Sequence, residues 1–328
     1  MAGNTTSNTS ATIRAQVYSS MILDTLKDGF LPEGIHRDVS DFPDGTTLNI
    51  PTFGDVVLRD ITEDMDVPVD ALDTGSITLT ITEHKGAGSY LTDNMKEDSY
   101  ISAQFDAAIV PKHLRALKEA YETSLLAAVP DGQTAANANA INGFAHRFVA
   151  SGSNQTMTLE DFAYAKLSLD KANAPEEGRI AIVDGLVEMT FNTQTNLVNV
   201  SNNPMFEGVV NSGFGKAMRF YKNIYGFDVY LSNRLKHVDS ETVDTSSITV
   251  PAPSSSAAVT SGVANLFLCV ADDMSTPIMG AWRRQPRTEP HRNVPKMRDE
   301  FYTTARWGHG LQRTQTAVVV LTSRTAYK

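Results

Sequence analysis

A run of carboxylates in the N-terminal part of the chain is the feature best suited to chemistry. Residues 41–73 hold nine Asp and Glu residues and one base, Arg59. Clustered carboxylates can bind Ca²⁺ or serve as the acid and base of a hydrolase. The triplet Asp64-Met65-Asp66 lacks the spacing and the closing Glu of a calcium loop. Catalysis by paired carboxylates requires a concave pocket, whereas we predict below that this segment is a projecting hairpin.

Other chemical motifs are weak or missing. No glycine-rich loop ends in Lys followed by Ser or Thr, and the seven histidines show no metal-ligand spacing. Residues 307–310 place His309 between two glycines, which is typical of a structural turn, and no nucleophile motif accompanies it. Cys269 lies in an apolar run and is predicted to be a small buried hydrophobe. We predict no enzyme activity, no cofactor and no metal. The alternative from another functional class is a hydrolase in which Asp60, Asp64 and Asp66 are catalytic.

The other end of the chain is basic. Residues 283–328 hold ten bases and three acids. A monomer with two oppositely charged ends can associate head to tail, into a closed shell or an open filament. The alternative is that these are ordinary solvated faces, or that they pair within one molecule. The net charge of −10 argues against general nucleic-acid binding, and the arginines near Trp282 lack a series of stacking aromatics.

The acidic run lies inside a pattern typical of a long β-hairpin. Residues 47–59 and 76–82 alternate between apolar and polar side chains, and the acidic stretch connects them. A two-stranded hairpin is marginal in water and needs a surface to lie on. Because the sequence offers no third strand nearby, we expect that surface on a neighbouring subunit. Gly86-Ala87-Gly88 indicates a hinge after the hairpin.

Helical periodicity appears in four places. Residues 11–27 predict a helix behind a polar tip, residues 97–109 and 111–129 predict two more, and the last begins at Thr158 and continues to about residue 173. Pro111 is expected in the first turn of its helix, because an internal proline removes a backbone hydrogen bond. Thr158 and Asp161 are expected to form a capping pair.

Short apolar runs predict buried strands at residues 179–184 and 264–271. Residues 226–232 alternate after a glycine turn and predict another strand, and residues 316–321 predict a terminal strand. The segment 236–262 is rich in Ser, Thr and Pro and is predicted to be an exposed loop or flap. No stretch approaches the length of a membrane span, and the first ten residues do not form a secretory signal. Together these elements predict an α+β protein.

Three stretches resemble sequences of the major capsid proteins of tailed bacteriophages, the Hong Kong 97-like family. Residues 174–183 resemble the turn, arginine and strand that lead into the family's axial domain. Residues 226–233 resemble its glycine-aromatic-x-valine-tyrosine-x-serine strand. Residues 307–313 with 316–321 resemble its closing strand.

The resemblance implies a Hong Kong 97-like fold with a defined order of parts. They are an N-terminal arm at 1–45, a β-hairpin E-loop at 46–88, a peripheral domain with a spine helix at 89–130, an axial domain with a central mixed sheet at 131–280, and a return to the peripheral domain at 281–328.

The resemblance also implies a function. The chain is expected to assemble into hexamers and pentamers that form an icosahedral shell around double-stranded DNA, without sequence-specific binding and without a membrane. Expected partners are a separate scaffolding protein, a portal protein at one vertex and a possible cement protein. The expected location is the virion capsid, after assembly in the host cytoplasm. The alternatives are an encapsulin-like compartment and another phage structural protein, such as a tail protein.

Charge and resemblance together predict the contact between subunits. The hairpin acids of one subunit are expected to face arginines of another. The acids are Asp60, Glu63, Asp64, Asp66 and Asp70, and the arginines are Arg283, Arg284, Arg287, Arg292 and Arg298. The predicted E-loop holds a single lysine, Lys85 near its base, so we expect no covalent cross-link of the Lys–Asn kind.

Overall fold

The computed structural model describes residues 31, 34–39, 45–54, 56, 58–61, 63–64, 66, 69, 71, 73–98, 102–133, 137–193 and 220–326. The predicted helix at 11–27 lies outside these residues. Within them the chain forms two large sheets, a separate hairpin and four α-helices. Among the described residues, no helix combines the length and the apolarity that a membrane span requires.

The larger sheet has seven strands and contains most of the buried apolar side chains. Its order is β5-β13-β10-β6-β8-β7, with β9 also paired to β10. Continuous apolar runs form its centre because both faces are covered. The strands are β5 (Arg147–Val149), β6 (Arg179–Val183), β7 (Phe220–Ile224), β8 (Phe227–Leu231), β9 (His237–Thr242), β10 (Ala258–Cys269) and β13 (Ala317–Ser323).

Two helices flank this sheet, α3 (Leu159–Lys171) and α4 (Gly185–Thr193). The predicted cap of α3 is confirmed, because Thr158 and Asp161 form a reciprocal capping box. Beyond its C-terminal end, Arg179 donates to the carbonyls of Pro175 and Ala174 at 2.8 and 2.9 Å. In the turn-arginine-strand motif, the arginine therefore stabilises the turn between α3 and β6 by bonding its carbonyls.

The smaller sheet has four strands in the order β1-β11-β12-β4. Helix α2 (Ser102–Gly132) packs across it, and α1 (Asp93–Asp98) follows β4 directly. The strands are β1 (Arg37–Asp38), β4 (Glu83–Thr92), β11 (Ile278–Asn293) and β12 (Arg298–Leu311). The long hairpin of β11 and β12 was not predicted, because charged residues on its exposed face obscure the alternation.

The prediction that Pro111 opens a helix is wrong. Both Pro111 and Pro130 lie inside α2, which is 31 residues long. Helix α1 and helix α2 are instead separated by residues 99–101, which lie outside the described part. Packing of the apolar side of α2 on the sheet outweighs the lost backbone hydrogen bond, since tertiary context overrides local propensity.

The predicted hairpin is present as β2 (Thr47–Phe53) and β3 (Thr74–Thr80). The expectation that only a neighbouring subunit supports it is wrong for its base. Leu79 and Ile81 are buried with Met279 and Ala281 of β11. A Cβ on Gly308 would lie 2.5 Å from the carbonyl oxygen of Thr80, so glycine is required there for the base of the hairpin to cross β12.

Three further predictions are corrected by the topology. Gly86-Ala87-Gly88 is not a hinge but part of β4, paired with residues 302–304 of β12. The segment 236–262 is not one loop, because it contains β9 and the start of β10. His309 lies within strand β12 rather than in a turn.

Residues 281–328 contribute to both large sheets. Strand β13 pairs with β10 and β5 in the seven-stranded sheet. Its side chains are all buried, and five of its seven residues are apolar. Only β11 and β12 of this region belong to the four-stranded sheet.

Candidate assembly surfaces

The hairpin tip, defined as residues 54–73, projects exposed side chains of two kinds. Leu58 and Val69 are each 93% exposed, and Phe53 at its edge is 73% exposed. The predicted contact acids Asp60, Glu63, Asp64 and Asp66 are all exposed, while Asp70 lies outside the described residues. A tip that combines bare apolar and acidic side chains is typical of an interaction surface.

The four-stranded sheet has two faces of opposite character. On the inner face, Ala305 and Trp307 of β12 are fully buried against Leu117 of α2. Side chains alternate along a strand, so Thr304 and Arg306 lie on the other side, which we call the outer face. Leu79 and Ile81 cover the end of the outer face near Met279 and Ala281. The remainder is open.

Three bases lie side by side on the open part of the outer face. Arg306 of β12 is directly opposite His84 of β4 and Arg284 of β11. We call these three residues the basic row. The Arg284 guanidinium lies 2.9 Å from Nε2 of His84. The charges of Arg284 and Arg306 lie directly opposite each other on the sheet, which is destabilising, and a carboxylate placed beside them would offset this repulsion.

Among the described residues, no carboxylate forms an ion pair with Arg284 or Arg306. Sequence reasoning selected Arg284 but missed Arg306 and His84. The signal that could have found them is strand register, which places residues 84, 284 and 306 in one row although they are far apart in sequence.

Two predicted contact arginines are already occupied within the chain. Arg292 donates to Asp93 at 2.6 and 2.5 Å and also pairs with Asp299. The hydrogen bond from Arg292 holds the pKa of the Asp93 carboxyl below its ordinary value. These two arginine–aspartate contacts are solvent-exposed and tie α1 to the turn between β11 and β12.

Arg298 is the second occupied arginine. It donates to Glu300 at 2.6 Å and stacks over the ring of Tyr90 at 4.4 Å. Hydrogen bonds from Tyr302, Arg298 and Asn293 lower the pKa of Glu300 to about 2. Of the other predicted arginines, Arg283 is exposed, and Arg287, 72% exposed in its side chain, pairs with Glu289 at 3.1 Å.

The hydrolase alternative requires its catalytic acids to line a cleft, and the structure does not place Asp60, Asp64 and Asp66 in the large cleft of the chain. A cleft of about 1130 Å³ lies between the hairpin base and the body, and its carboxylates are Glu83 and Asp131. Glu83 pairs with Lys85, and Asp131 pairs with Lys236. Asp60, Asp64 and Asp66 do not line it. No group of His, Cys, Asp and Glu in the described part of the chain could hold a metal ion.

A serine and a histidine lie in contact beside this cleft. Ser124 Oγ of α2 lies 2.9 Å from Nδ1 of His309, beside the same cleft. Burial and the neighbouring His36 lower the pKa of His309 to about 3. A general base works best with a pKa near the operating pH, so this imidazole is poorly suited to activate the serine.

Comparisons with known proteins connect the fold to one structural class. No protein-family model matches the chain, and no curated protein matches it. The capsid structure of cyanophage P-SCSP1u matches with a TM-score of 0.67 at 13% identity, over 95% of this chain and 93% of that chain. The mature capsid of bacteriophage PhiM1 matches with a TM-score of 0.65 at 12% identity, over 96% and 93%. The capsid of cyanophage Pam1 matches with a TM-score of 0.64 at 13% identity, over 95% and 97%.

These structures share the whole architecture with the chain rather than one module of it. The chain therefore has the fold of phage capsid structures, and the expected Hong Kong 97-like α+β fold is confirmed. At 12–13% identity the likeness concerns the fold alone.

Proposed function

We propose that the chain is a major capsid protein, a shell subunit that assembles into hexamers and pentamers around double-stranded DNA. The observation that carries the proposal is the match to phage capsid structures over more than nine tenths of both chains. The bounds of its arm, E-loop, peripheral and axial parts, its location in the virion after assembly in the host cytoplasm, and its scaffolding, portal and cement partners belong to the same proposal.

The hairpin tip and the basic row are the two halves of the proposed contact between subunits. The hairpin base is anchored on its own outer face by Leu79 and Ile81, which leaves the tip free to reach a second copy. The tip presents Asp60, Glu63, Asp64 and Asp66, and the open outer face presents the basic row. The complementary charges would fix the register of the contact.

Apolar burial supplies most of the adhesion in this proposal. Each exposed ion pair contributes about 0–1 kcal/mol, whereas full burial of a Leu or Val side chain contributes about 1.5–3 kcal/mol. Leu58 and Val69 are almost fully exposed in one chain and gain most from a partner. Arg284 and Arg306 are the preferred contact bases, because Arg292 and Arg298 already have partners in the chain.

Electron microscopy of the purified chain, with and without a scaffolding protein, tests the assembly. The proposal predicts closed shells built from rings of five and six subunits. Open tubes would favour the tail-protein alternative. If shells purified from infected cells contain neither a portal vertex nor DNA, the encapsulin-like alternative would be favoured. A chain that stays monomeric under all these conditions would contradict the shell function.

Neutralising the acids of the tip tests the contact itself. In a variant with Asp60→Asn, Glu63→Gln, Asp64→Asn and Asp66→Asn, we expect assembly to be impaired while the free energy of unfolding is unchanged, because these side chains are exposed.

A control variant has the same change in net charge but alters exposed acids far from the tip, with Glu160→Gln, Glu176→Gln, Glu177→Gln and Asp273→Asn. It should assemble as the parent does. Equal assembly of both variants across a range of salt concentrations would discard the charge pairing.

A further inference from the structure

Two histidines connect helix α2 to the four-stranded sheet from opposite sides. His113 extends from the helix and lies 2.7 Å from Ser89 Oγ of β4 and 3.2 Å from Thr303 Oγ1 of β12. His309 extends from β12 and lies 2.9 Å from Ser124 Oγ of the helix. Residues 113 and 124 are about 16 Å apart along the helix axis. The two imidazole–hydroxyl bridges therefore hold both ends of one interface.

The space between the bridges is apolar and aromatic. Leu117, Ala305 and Trp307 are buried there. Tyr121 stacks on Trp282 with ring centroids 4.4 Å apart. An apolar interface of this kind holds neutral groups well and charged groups poorly, because burial without a partner penalises an ion.

In the described part of the chain, neither His113 nor His309 forms an ion pair with an acid that would balance a second proton. Among the described residues, the one ion pair that involves a histidine is between His36 and Asp38. Around His113 the facing groups are the hydroxyls of Ser89 and Thr303, the latter bonded to Thr288. Burial lowers the pKa of His113.

His309 faces a second base rather than an acid. The ring of His36 lies 6.0 Å from that of His309 and also contacts the Tyr121 hydroxyl at 2.9 Å. Nε2 of His309 is buried without a hydrogen-bond partner. Arg37, Asp131 and Arg313 line the cleft on the other side of His309. A proton added to His309 would thus be buried, without an ion-pair partner among the described residues and disfavoured by the neighbouring His36.

We propose that these two imidazole–hydroxyl bridges form an acid-sensitive latch between helix α2 and the four-stranded sheet. At neutral pH both imidazoles are uncharged and the interface is closed. On acidification, the open interface gains protons that the closed interface excludes, so the equilibrium moves toward release of the helix from the sheet. The outer face of the same strands carries the basic row, so release would also change the surface offered to a second copy.

The direction in which the stability of the closed interface changes with pH follows from proton linkage. The closed state lowers the pKa of both histidines, so the open state binds more protons below the ordinary histidine pKa of about 6.5. Stability of the closed interface is complete above that pH and is lost as the pH falls toward the lowered values. Each excluded proton raises the opening equilibrium by up to about tenfold per pH unit.

Hydrogen–deuterium exchange of the full chain between pH 7.5 and pH 5, corrected for intrinsic exchange rates, tests the latch. Peptides from 110–125 and 303–311 should show an opening equilibrium that rises by about tenfold to a hundredfold per pH unit below pH 6.5. The side chains introduced by His309→Asn and His113→Gln cannot gain a charge. Each substitution should therefore lower the pH dependence of the opening equilibrium by the contribution of one proton, up to about tenfold per pH unit. His291→Gln on the exposed side of β11 is the control and should leave the slope unchanged.

Two results would overturn the proposal. One is an unchanged slope in both histidine variants. The other is parallel loss of protection in β10 and β13, since the seven-stranded sheet has its own buried His146, whose pKa burial lowers to about 4. If the histidine variants do not fold, Ser124→Ala provides a second test. It keeps His309 titratable, so it should reduce protection at pH 7.5 and retain the slope, and no loss of protection at pH 7.5 would exclude the bridge.

Discussion

The inner and outer faces of the four-stranded sheet are built from neighbouring residues and serve different purposes. Along β12, Ala305 and Trp307 are buried under α2, while Arg306 between them lies on the open face beside two other bases. The inner face packs against α2 within one chain, and His113 and His309 contact hydroxyls there. The outer face carries Arg284 and Arg306 side by side, and no described carboxylate forms an ion pair with either of them. On the proposed function, this contrast predicts that the inner face contributes to folding and the outer face to association.

The largest expected difference is between substitutions at two adjacent residues, one on the inner face and one on the outer face. Trp307→Ala empties a fully buried site under α2 and is expected to lower the free energy of unfolding by about 3–5 kcal/mol. Arg306→Gln, one residue away on the outer face, should change it by no more than about 0.5 kcal/mol. Chemical denaturation of both variants measures the difference. Similar losses in the two variants would mean that the outer face also contributes to folding.

A substitution where the hairpin base crosses the outer face should lower the free energy of unfolding by a smaller amount. Gly308→Ala would place a methyl group 2.5 Å from the carbonyl oxygen of Thr80, and we expect a loss of about 1–3 kcal/mol from the resulting strain. Exchange of the amides in β3 should rise more than that of the amides in β10. Gly226→Ala is a useful comparison, because its Cβ would meet nothing within 4 Å, although its positive φ of 86° adds backbone strain. Unchanged protection in β3 would contradict the close approach.

Much of the seven-stranded sheet could be predicted from sequence. The strands around Ile182, Val229, Phe267 and Val319 are short apolar runs that only a buried position explains. The cap formed by Thr158 and Asp161 is also local. Such features depend on neighbouring residues, which a sequence displays directly.

The rest depended on contacts between distant residues. Pro111 predicted a helix start, yet α2 continues on both sides of it because the helix packs against β12. Gly86 and Gly88 predicted a hinge, but they are strand positions paired with Thr304 and Tyr302, where an added Cβ would lie 3.0 and 3.2 Å from those side chains. Arg292 appeared available for another subunit until the fold placed Asp93 and Asp299 beside it. Net charge along the chain identified the acidic hairpin and the basic C-terminal region, but strand register was needed to identify Arg306 and His84.

The central claim is that the hairpin tip of one copy lies on the basic row of another, and a charge exchange tests it most directly. One variant carries Arg284→Glu and Arg306→Glu, a second carries Asp64→Lys and Asp66→Lys, and a third carries all four changes. Particle yield by sedimentation and electron microscopy should fall in the first two and recover in the third, because only the third restores opposite charges across the contact. The free energy of unfolding should match the parent in all three. A third variant that assembles no better than the first two would show that the tip and the basic row do not meet.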